Sequence, residues 1–287
     1  IINDKILSVE VKKSLERGVT TIESELSLTG PKDSFSESFN TNLGLIRRRI
    51  KSSNLWWNEI NLGTKTETKM GLIYMNDIVD KKLISDIEEK LKSINIDGII
   101  DSSYLKDKLE SDNLFPTVIL TERPDKVSMA LLEGKAVILV DMSSYAIILP
   151  NFFVDYFHTV DDYYQKSFNT TFIRIVRMFA FFIAIFVPAY YIAITTYNQD
   201  SCFLSLLLLL KAQRASVPFP ATIEALFMIL SFEVLRESDL RMSSTTGSAI
   251  SILGGLILGD AAVSAGIMSP IMIIVIAISS IASFVFT

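Results

Sequence analysis

One cysteine and one histidine among 287 residues leave several kinds of chemistry without material. Cys202 alone excludes an intrachain disulfide framework. His158, with no cysteine beside it, cannot build a zinc cluster and leaves little for histidine-based catalysis. The chain also lacks a Gly-Lys-Ser/Thr phosphate loop, a dinucleotide fingerprint, a nucleophile elbow and a Cys-x-x-Cys pair. It is therefore expected not to be an enzyme, with no catalytic residue, no metal and no cofactor. No basic patch asks for a polyanion, so nucleic acid is not an expected partner. The stretch from Ile1 to Gly18 is charged and helix-like and lacks a short basic-then-apolar signal segment, so the expectation is a cytosolic first domain. No Met opens the chain and the apolar run "VIAISSIASFVFT" closes it, so it reads as a piece of a longer protein.

What the chain has in excess is apolar surface. Hydrophobic residues make up 49% of it and the mean hydropathy is +0.39, more than a soluble protein can cover with polar groups. The excess is uneven. From Thr171 onward the basic residues (Arg174, Arg177, Lys211, Arg214, Arg236, Arg241) and the acidic ones (Asp200, Glu224, Glu233, Glu237, Asp239, Asp260) cancel, so the net charge of −5 lies wholly in the first part. The expectation is an α+β or α/β cytosolic domain over residues 1–165 followed by an α-helical transmembrane domain over 166–287, the first incomplete at its start and the second at its end.

Within the first domain, Phe35, Phe39, Leu43, Ile46 and Ile50 recur at helical spacing behind Gly30-Pro31, which predicts an amphipathic helix opened by the proline and closed by Arg47 to Arg49. A strand-like run around Leu72 to Met75 precedes a second helical pattern with Leu83, Ile84, Ile87, Leu91 and Ile94 on one face. "TVILTE" reads as a buried strand. "RPDKVSMALLEG" reads as a short helix with Pro124 at its start and Gly134 just past its end. "AVILVD" and "YAIILP" form a hairpin, and their unbroken apolar character implies burial on both faces. Phe152, Phe153, Tyr156, Phe157, Tyr163 and Tyr164 then crowd together before the long apolar run, where such rings suit a membrane interface; capping a soluble core is the alternative.

In the second domain, residues 172–197 are charged only at Arg174 and Arg177 and exceed the roughly 20 residues a spanning helix needs. The two arginines beside the cytosolic domain agree with the positive-inside rule. Pro188 lies inside this segment, removes a backbone hydrogen bond and should kink it, with neighbouring helices compensating. Residues 203–235 are too interrupted for a simple span, with Pro218 and Pro220 marking a broken backbone, and they read as interfacial or as a broken helix. Residues 247–266 and 268–287 are the two further expected spans. The first carries Gly247, Ser251, Gly255 and Gly259 on one face, a stripe for close helix packing; the second shows Ser279 and Ser283 on one face. Glu224, Glu233 and Asp260 are candidates for a pore or ion path, because a carboxylate is costly against lipid. The bland alternative is an interfacial helix with solvated glutamates.

The blocks "GPKDSFSESFNTNLGLIRRRI", "ERPDKVSMALLEGKAVILVD", "DDYYQKSFNTTFIRIVRMFAFFIAIFVPAYYIAITTYNQD" and "VPFPATIEALFMILSFEVLRE", in that order, resemble the A subunit of GerA-type spore germinant receptors. The stage V sporulation AF protein is a similar relative. The resemblance runs from about Thr29 to the last residue. It implies a multi-pass subunit of the inner spore membrane that acts with B and C subunits in nutrient-triggered germination and self-associates into an ion channel. A secondary transporter, suggested by the Pro218–Pro220 break beside Glu224, and a purely structural scaffold are the alternatives.

Overall fold

The computed structural model describes residues 18, 21–22, 25, 27, 29–110, 115–241, 254–257 and 259–286. The chain divides into two compact units, Ile1–Lys166 and Ser167–Thr287.

The first unit is built on a five-stranded sheet in the order β1-β2-β4-β5-β3, with β1 Leu55–Leu62, β2 Thr68–Met75, β3 Ile119–Thr121, β4 Ala136–Val140 and β5 Ala146–Leu149. Every pairing is antiparallel, which decides between the two expected classes in favour of α+β. Alternation along the strands sends side chains to opposite faces. Ile73, Met75, Val137, Leu139, Ala146 and Ile148 meet α1 (Phe39–Arg49) and α4 (Pro124–Leu132) on one side. Met70, Leu72, Ile138, Val140, Ile147 and Leu149 meet α2 (Lys81–Ser93) and α3 (Ser103–Leu109) on the other. Helices on both faces explain why β4 and β5 are apolar throughout: all their residues are buried.

Two expectations need correction, and one strand had none. The first helix begins at Phe39, not behind Pro31; Phe39 N–H donates to Asp141 Oδ1 at 3.0 Å, and Phe35 is buried from the preceding loop. "TVILTE" is not a buried strand but a short edge strand, with Ile119 and Leu120 only partly covered. β1 went unrecognised because "LWWNEINL" lies on the opposite edge, where one face is wet and the apolar pattern is weak. By contrast α4 starts with Pro124 at its first turn, and Gly134, just past its end, has φ +85°, as the pattern predicts.

Gly71 on β2 shows how tightly α1 is seated. A Cβ there would stand 2.6 Å from ring atoms of Phe39, itself buried. Gly71→Ala is expected to cost about 1–3 kcal/mol by overpacking. Thermal unfolding of the full chain reads this, and Phe39→Leu in the same background should recover most of the loss; an unchanged midpoint in Gly71→Ala would refute the contact.

The second unit is helical: α6 Ser167–Thr196, α7 Leu204–Arg214, α8 Ala221–Arg241, α9 Gly254–Ser264 and α10 Pro270–Ser283, after the single turn α5 Asp161–Tyr164 of the first unit. Among the described residues α6 alone is long and apolar enough to cross a membrane. Its 30 residues extend about 45 Å. The expected interfacial or broken element at 203–235 is two helices separated at residues 215–220, and the second continues to Arg241. α10 has 14 residues, about 21 Å, short of the ~30 Å hydrocarbon core expected for the 268–287 span. Of the 247–266 span, Gly247 and Ser251 lie outside the described residues. Tyr191, Leu210, Ala221, Ala225, Met228, Met272 and Ile276 form the core that joins α6, α7, α8 and α10.

Candidate functional site

In a unit this apolar, a buried polar group needs a partner or a purpose. Glu224 is the clearest instance. It sits in the first turn of α8, four residues after Pro220, and its side chain is fully buried. Its Oε1 accepts the backbone N–H of Ser269 at 2.5 Å. Ser269 caps α10, with its hydroxyl accepting from Met272 N–H at 3.3 Å and Pro270 opening the helix. A carboxylate at this N-terminus faces the positive end of the helix dipole. The other oxygen, Oε2, lies 3.6 Å from Arg214 Nε in the last turn of α7. That is an ion pair too long to be a hydrogen bond. Glu224 Oε2, Arg214 Nε and the hydroxyl of Tyr191 on α6 are buried atoms that meet no hydrogen-bond geometry among the described residues. Side chains from α6, α7 and α8 and the cap of α10 thus assemble a charged junction. It offers no nucleophile paired with a base. What it can do is hold three helix ends, those of α7, α8 and α10, together through one carboxylate.

A second polar region adjoins Pro188. A cavity of about 380 Å³ lies between α6, α8 and α10, with Pro188, Glu233, Arg236, Ser279 and Ser283 among its walls. Arg236 pairs with Glu233 at 3.3 Å, donates to Ser283 Oγ at 2.8 Å and lies over the rings of Phe232 and Phe284. Pro188 carries no N–H, so the carbonyl of Ala184, four residues earlier, loses its helical donor. The hydroxyl of Ser279 supplies one from α10 at 2.5 Å. Ser279→Ala should therefore destabilise the packed helices by about 1 kcal/mol. In a Pro188→Ala background, where the helical N–H returns, the same change should cost nearly nothing. A double-mutant cycle read by thermal unfolding in micelles checks this; equal costs in both backgrounds would sink it.

The candidates named from sequence do not form one cluster. Glu224 is at the junction, and Glu233, about half exposed, lines the cavity some 13 Å further along α8. Asp260 on α9 is exposed. A Cβ at Gly255 or Gly259 would meet nothing within 4 Å, whereas one at Gly254 would meet Leu235 at 3.0 Å. Pro218 and Pro220 lie in the break between α7 and α8. Tyr191, Arg214 and Ser269 were not foreseen as partners of Glu224. The Ser269-Pro270 pair did mark a helix start, but nothing in the sequence tied that start to a glutamate 45 residues earlier.

The first unit has its own charged knot. Arg123 and Asp125, 1% and 4% exposed, pair through Nη2–Oδ2 at 2.7 Å and Nε–Oδ1 at 3.0 Å. Arg123 Nη1 donates to Glu25 O at 3.0 Å, Lys126 pairs with Glu25, and Tyr164 donates to Asp125 at 3.0 Å. Burial pushes the Asp125 carboxyl up, but the Arg123 hydrogen bonds and charge outweigh it, and its pKa falls below the ordinary carboxylate value. Burial first, then the Asp125 charge, push the Tyr164 hydroxyl up to about 12. Gly30 lies against the Tyr164 ring with φ +100°, leaving no room for a Cβ. The aromatic segment expected at a membrane interface is thus partly tied into the first unit: Phe157 is buried, and Tyr156 donates to Pro116 O.

The family model described as Bacillus/Clostridium GerA spore germination protein matches residues 2–287. Spore germination protein KA of Bacillus subtilis (strain 168) is 42% identical over 98% of this chain and 52% of its own length. Spore germination protein XA of Bacillus anthracis is 38% identical over 96% of this chain and 57% of its own. The membrane protein YfkQ of Bacillus subtilis (strain 168), whose function is uncharacterised, is 37% identical over 98% and 55%. The chain therefore spans about half the length of the curated relatives it matches. Among solved structures, the N-terminal domain of the A subunit of the Bacillus megaterium spore germinant receptor GerK3 aligns at 37% identity over 42% of this chain and 97% of that domain, with a TM-score of 0.34.

Proposed function

The chain belongs to the Bacillus/Clostridium GerA spore germination protein family, and from that premise we propose that it is a membrane subunit of a nutrient germinant receptor that triggers spore germination, oligomerising to form or gate an ion channel. In this reading it sits as a multi-pass protein in the inner spore membrane, with its first unit in the cytosol, and works with B and C subunits. No enzymatic step is assigned to it. The observation that carries the receptor reading is the family match along residues 2–287, which runs through both units. What supports the channel role is physical. Glu224 and the Arg236–Glu233 pair place charge among apolar helices, where it is costly unless it faces protein, water or an ion. The open space beside Gly255 and Gly259 supports self-association, since small residues let another helix approach.

Spores of the parent organism carrying Glu224→Gln or Gly255→Leu in the full-length protein provide the test. Nutrient-triggered germination and early cation release should both fall, with the Glu224→Gln receptor still assembling and Gly255→Leu weakening self-association. Wild-type release in both variants, together with only monomer on crosslinking in membranes, would refute the channel reading. The break at residues 215–220 beside buried Glu224 favours a second reading, a secondary transporter. Substrate-dependent flux in liposomes containing this subunit alone, abolished by Glu224→Gln, would favour it. A purely structural scaffold predicts normal assembly and no conductance.

A further inference from the structure

The short turn Phe153–Phe157 and the loop at Phe115 build a surface that neither the junction nor the cavity uses. The Phe153 ring lies 4.6 Å from Phe115 and 5.3 Å from Phe157, and buried Phe157 anchors the group. The Tyr156 hydroxyl donates to Pro116 O at 2.9 Å and ties the two segments together. On this base Phe115, Phe152, Phe153 and Val154 stand out at 42, 60, 41 and 59% exposure. The turn's own carboxylate is withdrawn from the tip: Asp155 accepts from Phe152 N–H at 2.8 Å and pairs with Lys135 at 2.8 Å. Adjoining apolar groups left exposed in this way mark an interaction site.

Chain connectivity says what covers it. α6 starts at Ser167, ten residues after Phe157. Ten residues reach at most about 35 Å when fully extended, comparable to the ~30 Å hydrocarbon thickness of a bilayer. The patch is therefore tethered to within about 35 Å of the start of α6. Aromatic rings favour the interfacial layer of a bilayer. The acidic residues that follow, Asp161 and Asp162, offer no attraction to anionic headgroups. We propose that Phe115, Phe152, Phe153 and Val154 form a docking surface for the bilayer interface, inserting by apolar burial and not by charge. The proposal rests on α6 spanning the bilayer.

The single cysteine makes the test direct. The full chain with Cys202→Ser, reconstituted in phosphatidylcholine nanodiscs, is given one new cysteine and an environment-sensitive fluorophore at Val154→Cys, at Phe186→Cys on exposed α6, or at Lys65→Cys on the exposed surface. At position 154 a blue shift and several-fold stronger quenching by lipid-attached nitroxide than at position 65 are expected, unchanged when anionic lipid is added. Quenching by aqueous iodide equal to that at position 65 would overturn the docking surface. So would shielding from both quenchers, which would assign the patch to a protein partner. Lipid quenching at 186 without any at 154 refutes docking while leaving the α6 span intact; its absence at 186 refutes the span itself.

Discussion

Glu224→Ala is expected to lower the stability of the helical unit by about 3–5 kcal/mol, because it removes one partner of a buried charge pair and leaves the other uncompensated. Arg214, 19% exposed on its side chain, would keep its charge beside the emptied site, and Ser269 N–H would lose its acceptor at the start of α10. Two smaller changes separate these contributions. Glu224→Gln keeps a carbonyl oxygen for Ser269 and loses only the charge, so its cost should be well below that of Ala. Arg214→Gln in the Glu224→Gln background should then recover part of the loss, since no unpaired charge remains. Thermal unfolding in micelles or nanodiscs measures all three. A loss under about 1 kcal/mol for Glu224→Ala would mean that the carboxylate is solvated and that the junction does not hold the helices.

The second large effect belongs to the first unit. Asp125→Ala should cost about 3–5 kcal/mol, since Arg123 is 1% exposed and would be left buried without its carboxylate. The same knot makes stability depend on pH at both ends. Asp125 has a depressed pKa in the fold, so its contribution is present above the ordinary carboxylate value near 3.9 and is lost as pH falls through the lower folded value. Tyr164 has a raised one, about 12, so its contribution is present below the ordinary value near 10 and is lost as pH rises toward 12. That alkaline contribution is small, because Tyr164 is 40% exposed and well screened. Denaturant unfolding across pH reads both limbs. Asp125→Asn should flatten the acid limb and Tyr164→Phe the alkaline one. Unaltered pH profiles in both variants would show that the knot does not carry the dependence.

The parts of the fold legible in sequence are those with a strong local signal. α2, α4 and the β4–β5 hairpin announce themselves by helical spacing, by Pro124 and Gly134, and by two unbroken apolar runs. β1 and β3 do not, because edge strands need only one covered face and their apolar pattern fades. The second unit shows the same division. α6 was evident from length alone. The carboxylates Glu224 and Glu233 stood out because ionisable groups are rare in such segments, yet their separate settings, a buried junction and a cavity wall, were not evident.

The sequence by itself determined which stretches are apolar enough to bury or to span, where charge interrupts them, and that Pro188 leaves a carbonyl in want of a donor. Those are properties of single residues and of short periodic patterns. Only the tertiary structure decided who answers them. Ser279 reaches Ala184 across 95 residues and Ser269 reaches Glu224 across 45, and an all-antiparallel sheet turns one alternating strand pattern into two separate cores. The physical reason is that a hydrogen bond or an ion pair acts over about 3 Å in space and is indifferent to distance along the chain.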